Sequence, residues 1–563
     1  MMNKDLVSPK FFGRFSLEWL LLSAIALAVL LRILNLGSRE FWYDEVLSLL
    51  ISTGKNAYNS PKDTPVVLAE YTSLLSIPVE TGVRDFFLTI SRLLKGLLGG
   101  EPHPPLFFLS QHLWLRLFGN SEAAMRSLNT FLSIAAMGSA YGLGRVFLGH
   151  RGGLFLAALL GINPFYLFHS LNVRMYAPLV LWATLSAWAL LHLIYQQDTQ
   201  IPQNRRNQLL WNAILIVSVA VGILTFYLYA YWLITLAVLV LYLDRQHWWQ
   251  HGLRLGAGVL LTSPWLLWGT LKQLRNADLK RFNTVKGVSS AWLQHLQDVA
   301  QTLGTNLLIG DWASSLAPMS LIIAGCLVIL LLLASSISLW KSGEKTNLTV
   351  ALILGVLPLL LALGVDIVAQ KFTVGFGWGR TMIIILPGCL LLLVLWVERG
   401  VPIKWRTPIA ASLLFLYLTI SIGDFSLRHR SVFHQVADLI LQDANQPTLI
   451  AMNSKAWGHV MRLAYYIPSQ ANVMLLADKP ANLATSLEKV LKDEAGKYPR
   501  VLWLDSSNPL WSRLTTETEI NRENQRIQQV LKTQFQLKNT QHVSGTMSLD
   551  KFTLNLYTRS SKS

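Results

Sequence analysis

Between residues 17 and 423 the sequence returns again and again to runs of about 20 apolar residues. Lipid offers no hydrogen-bond partner, so each backbone N–H and C=O in such a run must be satisfied within the chain. An α-helix does this locally, and long uninterrupted runs favour it over a closed barrel. Eleven runs qualify: 17–35, 123–147, 152–170, 174–196, 208–224, 227–243, 252–270, 317–340, 347–369, 380–398 and 406–423. Only 14% of the 563 residues are charged, where a soluble domain carries about 25%. The expected class is a polytopic α-helical membrane protein.

The net charge of +17 has a topological reading. Much of the excess lies in the short connections GRVFLGHRGG, QQDTQIPQNRRNQ, DRQHWWQHGLR, WKSGEKTN and ERGVPIKWRT. Lys and Arg gather in cytoplasmic loops, so these five are expected inside. The segment PLFFLSQHLWLRLF (105–118) is short and holds Gln111, His112 and Arg116. Counting it as a span would turn the basic loops outward, so it is read as a helix along the outer interface. The basic start MMNKDLVSPKFFGRF leads into an uncleaved first helix with a cytoplasmic N-terminus. The connections 36–122, 271–316 and 370–379 and the whole C-terminal region are then extracytoplasmic. The loop 271–316 is basic as well, an exception to the charge rule. No nucleic-acid-binding motif accompanies the charge, and nucleic acid is not an expected partner. Cys326 and Cys389 each lie within an apolar run, without metal-ligand or disulfide spacing.

Beyond residue 427 the composition changes. TLIAMNS, ANVMLLAD, RVLWLDSS and DKFTLNLYT read as short strands; KAWGHVMRLAYYI, ATSLEKVLKDEAG and NQRIQQVLKTQF read as helices. The expected organisation is a membrane domain over 1–425, with juxtamembrane helices in 36–122, and an α/β domain over 427–563.

Four outer segments carry unusual polar residues: SREFWYDE (38–45), EPHPPLFF (101–108), HSLNVRMY (169–176) and FGWGR (376–380). A carboxylate such as Asp44 or Glu45 can take a proton from a hydroxyl or amine. Arginines at headgroup level can hold a phosphate through paired hydrogen bonds. Together these suit transfer of a group from a lipid phosphate, whose growing charge the cations stabilise. Plainer roles exist for each. Asp44-Glu45 can cap a helix, Arg174 and Arg380 can anchor at the interface, and His103 before two prolines can open a helix. His112 and His169 read as structural histidines. No His/Asp/Glu set has metal spacing, with Asp311 and Asp366 the remaining acidic candidates for a divalent ion.

The ordered motifs W-x-D-E, H-P-P-L-F-F, L-F-G-N-S-E-A-A-M-R-S-L, N-P-F-Y-L-F-H-S-L-N-V-R-M-Y and G-R-T-M-I-I-I-L-P resemble the GT-C class of integral-membrane glycosyltransferases. The nearest branch is the one related to protein O-mannosyltransferases and the aminoarabinose transferase of lipid A. The resemblance covers about residues 15–400. It implies a polyprenyl-phosphate sugar donor and an extracytoplasmic lipid, glycan or protein acceptor. It also implies a multi-pass location in the plasma (inner) membrane, with no cofactor required although a divalent metal is used by some members. Asp44 matches the class's catalytic acid and Glu45 its neighbour, which shapes the site. His103 stands where some relatives place a lysine on the lipid phosphate. Arg174-Met175-Tyr176 matches a loop with further donor-site residues, and Arg380 a late-helix arginine that binds phosphate. Thr381 stands where tyrosine is common. Leu47 stands where the aminoarabinose branch has an arginine, which argues against lipid A as acceptor. The rival functions are a transporter or flippase of lipid-linked sugars, with its polar residues near the bilayer midplane, and a non-catalytic assembly subunit.

Overall fold

The computed structural model describes residues 17–55, 61–197, 205–277, 282–283, 288–427, 431–509, 516–545 and 547–560. The basic N-terminal stretch and the centre of the loop after residue 197 lie outside these. The chain divides into two compact units. One takes the described residues up to Asn35 with Asn129–Leu274 and Asp278–Asp424; the other takes Leu36–Leu128, Arg275–Ala277 and Phe425–Ser563.

The first unit is helical, and this is a polytopic membrane protein. Each of the eleven apolar runs falls on helix. Among the described residues, seven helices are long and apolar enough to cross a bilayer, and the bent pair Lys345–Gly355 and Leu357–Ala369 makes an eighth. Helix Glu122–Ile162 accounts for more than one run. It breaks at Gly149, whose φ of 67° is a conformation that side chains with a Cβ avoid. In lipid, helices gain from packing backbone against backbone through small residues. A Cβ on Gly325 would stand 1.9 Å from the Ala300 carbonyl oxygen, and one on Gly388 would stand 2.1 Å from Gly355 N. Arg32, at the end of the first span, is fully buried. Its guanidinium donates to Ser133 Oγ (2.9 Å) and to the carbonyls of Ala28 (2.9 Å) and Gly161 (2.7 Å).

The second unit is built on a six-stranded sheet. Its strands are β1 (Val66–Val67), β2 (Thr448–Met452), β3 (Val473–Ala477), β4 (Arg500–Ser506), β5 (Phe535–Ser544) and β6 (Lys551–Arg559), in the order β1-β3-β2-β4-β6-β5. β3, β2 and β4 run parallel, with helices Trp457–Tyr466 and Pro480–Asp493 in their crossovers. This explains the continuous apolar run of β2, which is buried along its whole length. β1 comes from the first long connection and pairs antiparallel with β3, Val66 opposite Leu475. The stretch QF that ends the expected helix NQRIQQVLKTQF belongs to other structure: the helix closes at Lys532, and Phe535 opens β5. The segment 105–118 forms helix Leu106–Phe118 in this unit. Arg116 there pairs with both Glu80 oxygens (2.8 and 2.6 Å), which holds the Glu80 carboxyl below its ordinary range.

Asp505, near the end of β4, gives a test of this unit. Burial pushes its carboxyl up to about 6, against the lowering effect of hydrogen bonds from Asn453 and Asn524. The folded value lies above the ordinary 3.8, so stability is fully present below that value and is lost as pH rises through about 6. Asp505→Asn cannot ionise. It is expected to raise the melting temperature by a few degrees at pH 7.5, an advantage that shrinks toward pH 4.5. Thermal melts followed by tryptophan fluorescence check this; an equal shift at both pH values would contradict it.

Candidate active site

In the second unit, nearly everything around Asp44 is fixed. Helix Tyr43–Ser52 starts after Trp42, which is extended (φ −82°, ψ 173°). Glu45 folds back and accepts the Trp42 N–H at 3.0 Å, capping the helix. Its two oxygens also take a fork from Arg126, Nε and Nη2 each at 2.8 Å. Arg126 then donates to the carbonyls of Leu36 (3.1 Å), Arg39 (2.8 Å) and Glu40 (3.0 Å). One guanidinium thus closes the whole turn from residue 36 to 45. Glu45 is 0% and Arg126 2% exposed. From Glu40 to Val46 every residue is buried except Asp44, which is half-buried. The two adjacent acids are therefore not equivalent: Glu45 is fully buried in the fold, whereas Asp44 is half-buried, with its Oδ2 shielded from solvent.

Arg126 carried no assigned role in the sequence reading, although it lies within the motif LFGNSEAAMRSL. One signal was present. A cation near a helix N-terminus meets the positive end of the helix dipole, so Arg126, close behind Glu122, calls for a carboxylate partner.

His103 also belongs to this unit. Its Nδ1 lies against the Glu101 carboxylate, so the ring is engaged by an acid two residues away. His112 has both nitrogens occupied, Nδ1 by the Ser52 carbonyl (2.7 Å) and Nε2 by Arg116 Nε (2.8 Å). Burial lowers its pKa. The neutral ring thus acts as a brace between helices.

The first unit holds the other expected residues. Asn163 caps helix Pro164–Ser170 through the Tyr166 N–H (2.9 Å). Asn129 Nδ2 donates to the carbonyls of Asn172 and Arg174, the latter at 2.7 Å, and pins the loop that leads to Tyr176. Arg174 is 6% and Tyr176 2% exposed. His169 packs edge-on against Tyr176 at 4.8 Å and Phe165 at 4.4 Å.

Arg380 sits at the end of a strained turn. Gly377, Trp378 and Gly379 all have positive φ (57°, 58° and 78°), and for tryptophan that conformation costs about 1–3 kcal/mol. The surroundings hold it. A Cβ on Gly379 would lie 2.6 Å from Thr302 Oγ1, and the Gly379 carbonyl accepts from Asn306 Nδ2 (3.1 Å). Asp366, 1% exposed, accepts Thr373 Oγ1 (2.7 Å) and the Val374 N–H (2.9 Å). Both its oxygens tie down the approach to the turn. The Arg380 guanidinium lies 5.7 Å from the Tyr176 ring centre and 5.5 Å from that of Phe376. Two aromatic rings thus fix its direction.

Tyr176 and Arg380 come together in one unit; Asp44 and Glu45 share one helix of the other unit, which also contains His103. Among the described residues, no group of three or more His, Cys, Asp or Glu is placed to hold a metal ion.

Residues 102–268 match the family profile of dolichyl-phosphate-mannose-protein mannosyltransferases. That range contains His103, Arg126, Arg174 and Tyr176. The structure is similar to that of ArnT from Cupriavidus metallidurans bound to undecaprenyl phosphate, with a TM-score of 0.54 and 11% identity over 96% of this chain and 98% of that one. A looser likeness, TM-score 0.46 and 11% identity, covers 87% of this chain and 68% of an oligosaccharyltransferase from Archaeoglobus fulgidus. The sequence matches no curated protein.

Proposed function

We propose that this chain, a membrane glycosyltransferase with the GT-C fold, moves a sugar from a polyprenyl-phosphate donor to an acceptor outside the cytoplasm, with Asp44 as the base. The partial exposure of Asp44, within a segment otherwise buried from Glu40 to Val46, is the observation that carries this reading. A base must reach a substrate, and it must also be held still. Asp44 is the one half-buried residue between neighbours that are locked in place.

The step is a single displacement. An acceptor hydroxyl or amine attacks the anomeric carbon while Asp44 takes its proton. The bond from that carbon to the phosphate oxygen breaks, and polyprenyl phosphate leaves with one more negative charge. Arg380 takes the role of stabilising that charge, with Arg174 and His103 as further donor-site residues and Tyr176 as the platform that aims Arg380. Glu45 acts on Asp44 through the turn that it shares with Arg126. The matched family and the polyprenyl phosphate bound in ArnT support the choice of donor. We place the acceptor site on the extracytoplasmic face of the plasma membrane, on the strength of the basic loops expected inside.

Arg380→Lys tests the phosphate role. Lysine keeps the charge but loses the flat fork and its stacking on Tyr176 and Phe376. Transfer is expected to fall by about 10² or more in kcat, with the melting temperature nearly unchanged. Full activity in Arg380→Lys and also in Arg380→Ala would remove Arg380 from the mechanism.

A further inference from the structure

Glu40, Phe41 and Tyr43, just before Asp44, are gripped one after another by the C-terminal region of their own unit. The Glu40 carboxylate is 1% exposed. Its Oε1 accepts the His434 N–H at 2.6 Å and lies 2.7 Å from the His434 ring, while Arg462 reaches its Oε2 at 3.6 Å. Arg462 is 0% exposed, bonds Asp550 at 2.5 Å and lies over the Phe433 ring at 4.2 Å. The Phe41 N–H donates to the Tyr466 hydroxyl at 2.6 Å, and that hydroxyl donates on to Glu122 at 2.8 Å. Tyr43 packs edge-on against His459 at 5.4 Å, and a Cβ on Gly458 would lie 2.5 Å from the Tyr43 ring. Gly458, His459, Arg462 and Tyr466 all belong to one helix, Trp457–Tyr466.

A docking contact alone would not need this chemistry. Apolar packing holds two segments together at least as well as a buried ion pair, whose desolvation largely cancels its attraction. What buried charges and aimed hydrogen bonds add is a single register. Here they fix the Glu40 carboxylate and the Phe41 amide, three or four positions before the acid, and Arg126 holds the Glu45 carboxylate just after it.

We infer that helix Trp457–Tyr466 is a positioning element for the acid, and that Arg462 and Tyr466, together with His434, set where Asp44 stands. The inference rests on the reading of Asp44 as the base. It makes the C-terminal region part of the catalytic apparatus, in addition to any role in recruiting an acceptor.

The test uses the full-length protein. Tyr466→Phe removes one hydroxyl and leaves the ring contacts. It is expected to lower kcat about tenfold, with the donor KM within about twofold, a melting temperature lower by a few degrees because the buried Phe41 N–H loses its acceptor, and faster hydrogen exchange at the Phe41 amide. Because Arg462→Met alone strands two buried carboxylates, the second variant is Glu40→Gln/Arg462→Met/Asp550→Asn, which neutralises the network as a unit. It too is expected to lose kcat while KM holds. Faster exchange at Phe41 with an unchanged kcat in Tyr466→Phe would overturn the inference, as would a folded, fully active triple variant. Asp44→Asn, run beside them, separates the two readings. If it is inactive while Tyr466→Phe is fully active, only the positioning role fails; if it is fully active, the base assignment fails.

Discussion

Asp44→Asn is expected to fold and to lose transfer activity by about 10²–10⁴ in kcat. The amide keeps the shape of the carboxylate but cannot take a proton. Asp44 offers its carbonyl to Ser48 Oγ (3.0 Å), and that bond survives the change. The melting temperature and the donor KM are therefore expected to hold while kcat collapses. Glu45→Gln should behave in the opposite sense. Its carboxylate is the partner of Arg126 and the cap of the helix, so the loss falls more on stability than on rate. Measuring kcat, KM and melting temperature for both variants distinguishes an acid that reacts from one that holds the turn.

Arg126→Met is expected to cost about 3–5 kcal/mol, because it strands Glu45 as a buried charge without its partner. It also removes the donors to the carbonyls of Leu36, Arg39 and Glu40. In the double variant Arg126→Met/Glu45→Gln the stranded charge is gone, so part of the stability should return. Activity should not return with it, since the three carbonyls still lack their donor and residues 36–45 remain loosely held. Thermal melting and transfer assays on wild type, both single variants and the double variant check this. Recovery of full activity in the double variant would show that Arg126 matters only as a neutraliser of Glu45.

The helical membrane fold was legible because its signal is local. Each apolar run contains all the information needed to form a helix in lipid. The parallel strands near the C-terminus were legible for the same reason, since β2, β3 and β4 are apolar runs bounded by polar turns. Where the partner lies far off in sequence, legibility ended. Val66 and Val67 become a strand only because Leu475 and Met474 stand opposite them. β5 is polar over most of its length, with Phe535 and Val543 its only buried residues, so neither its period nor its composition marks it as a strand. In SREFWYDE the choice between helix cap and base stayed open because one residue does each. Glu45 caps and is fully buried, and Asp44 is only half-buried. That split depends on Arg126, 81 positions after Glu45, and on Glu40 meeting Arg462.

The most direct test offers the purified protein, reconstituted in vesicles, a panel of polyprenyl-phosphate sugars and follows both lipid and sugar by mass spectrometry. One donor should lose its sugar, free polyprenyl phosphate should appear in equal amount, and Asp44→Asn should block both. Movement of intact donors across the bilayer without loss of sugar, or no consumption of any lipid-linked donor while sugar nucleotides are used, would contradict the account.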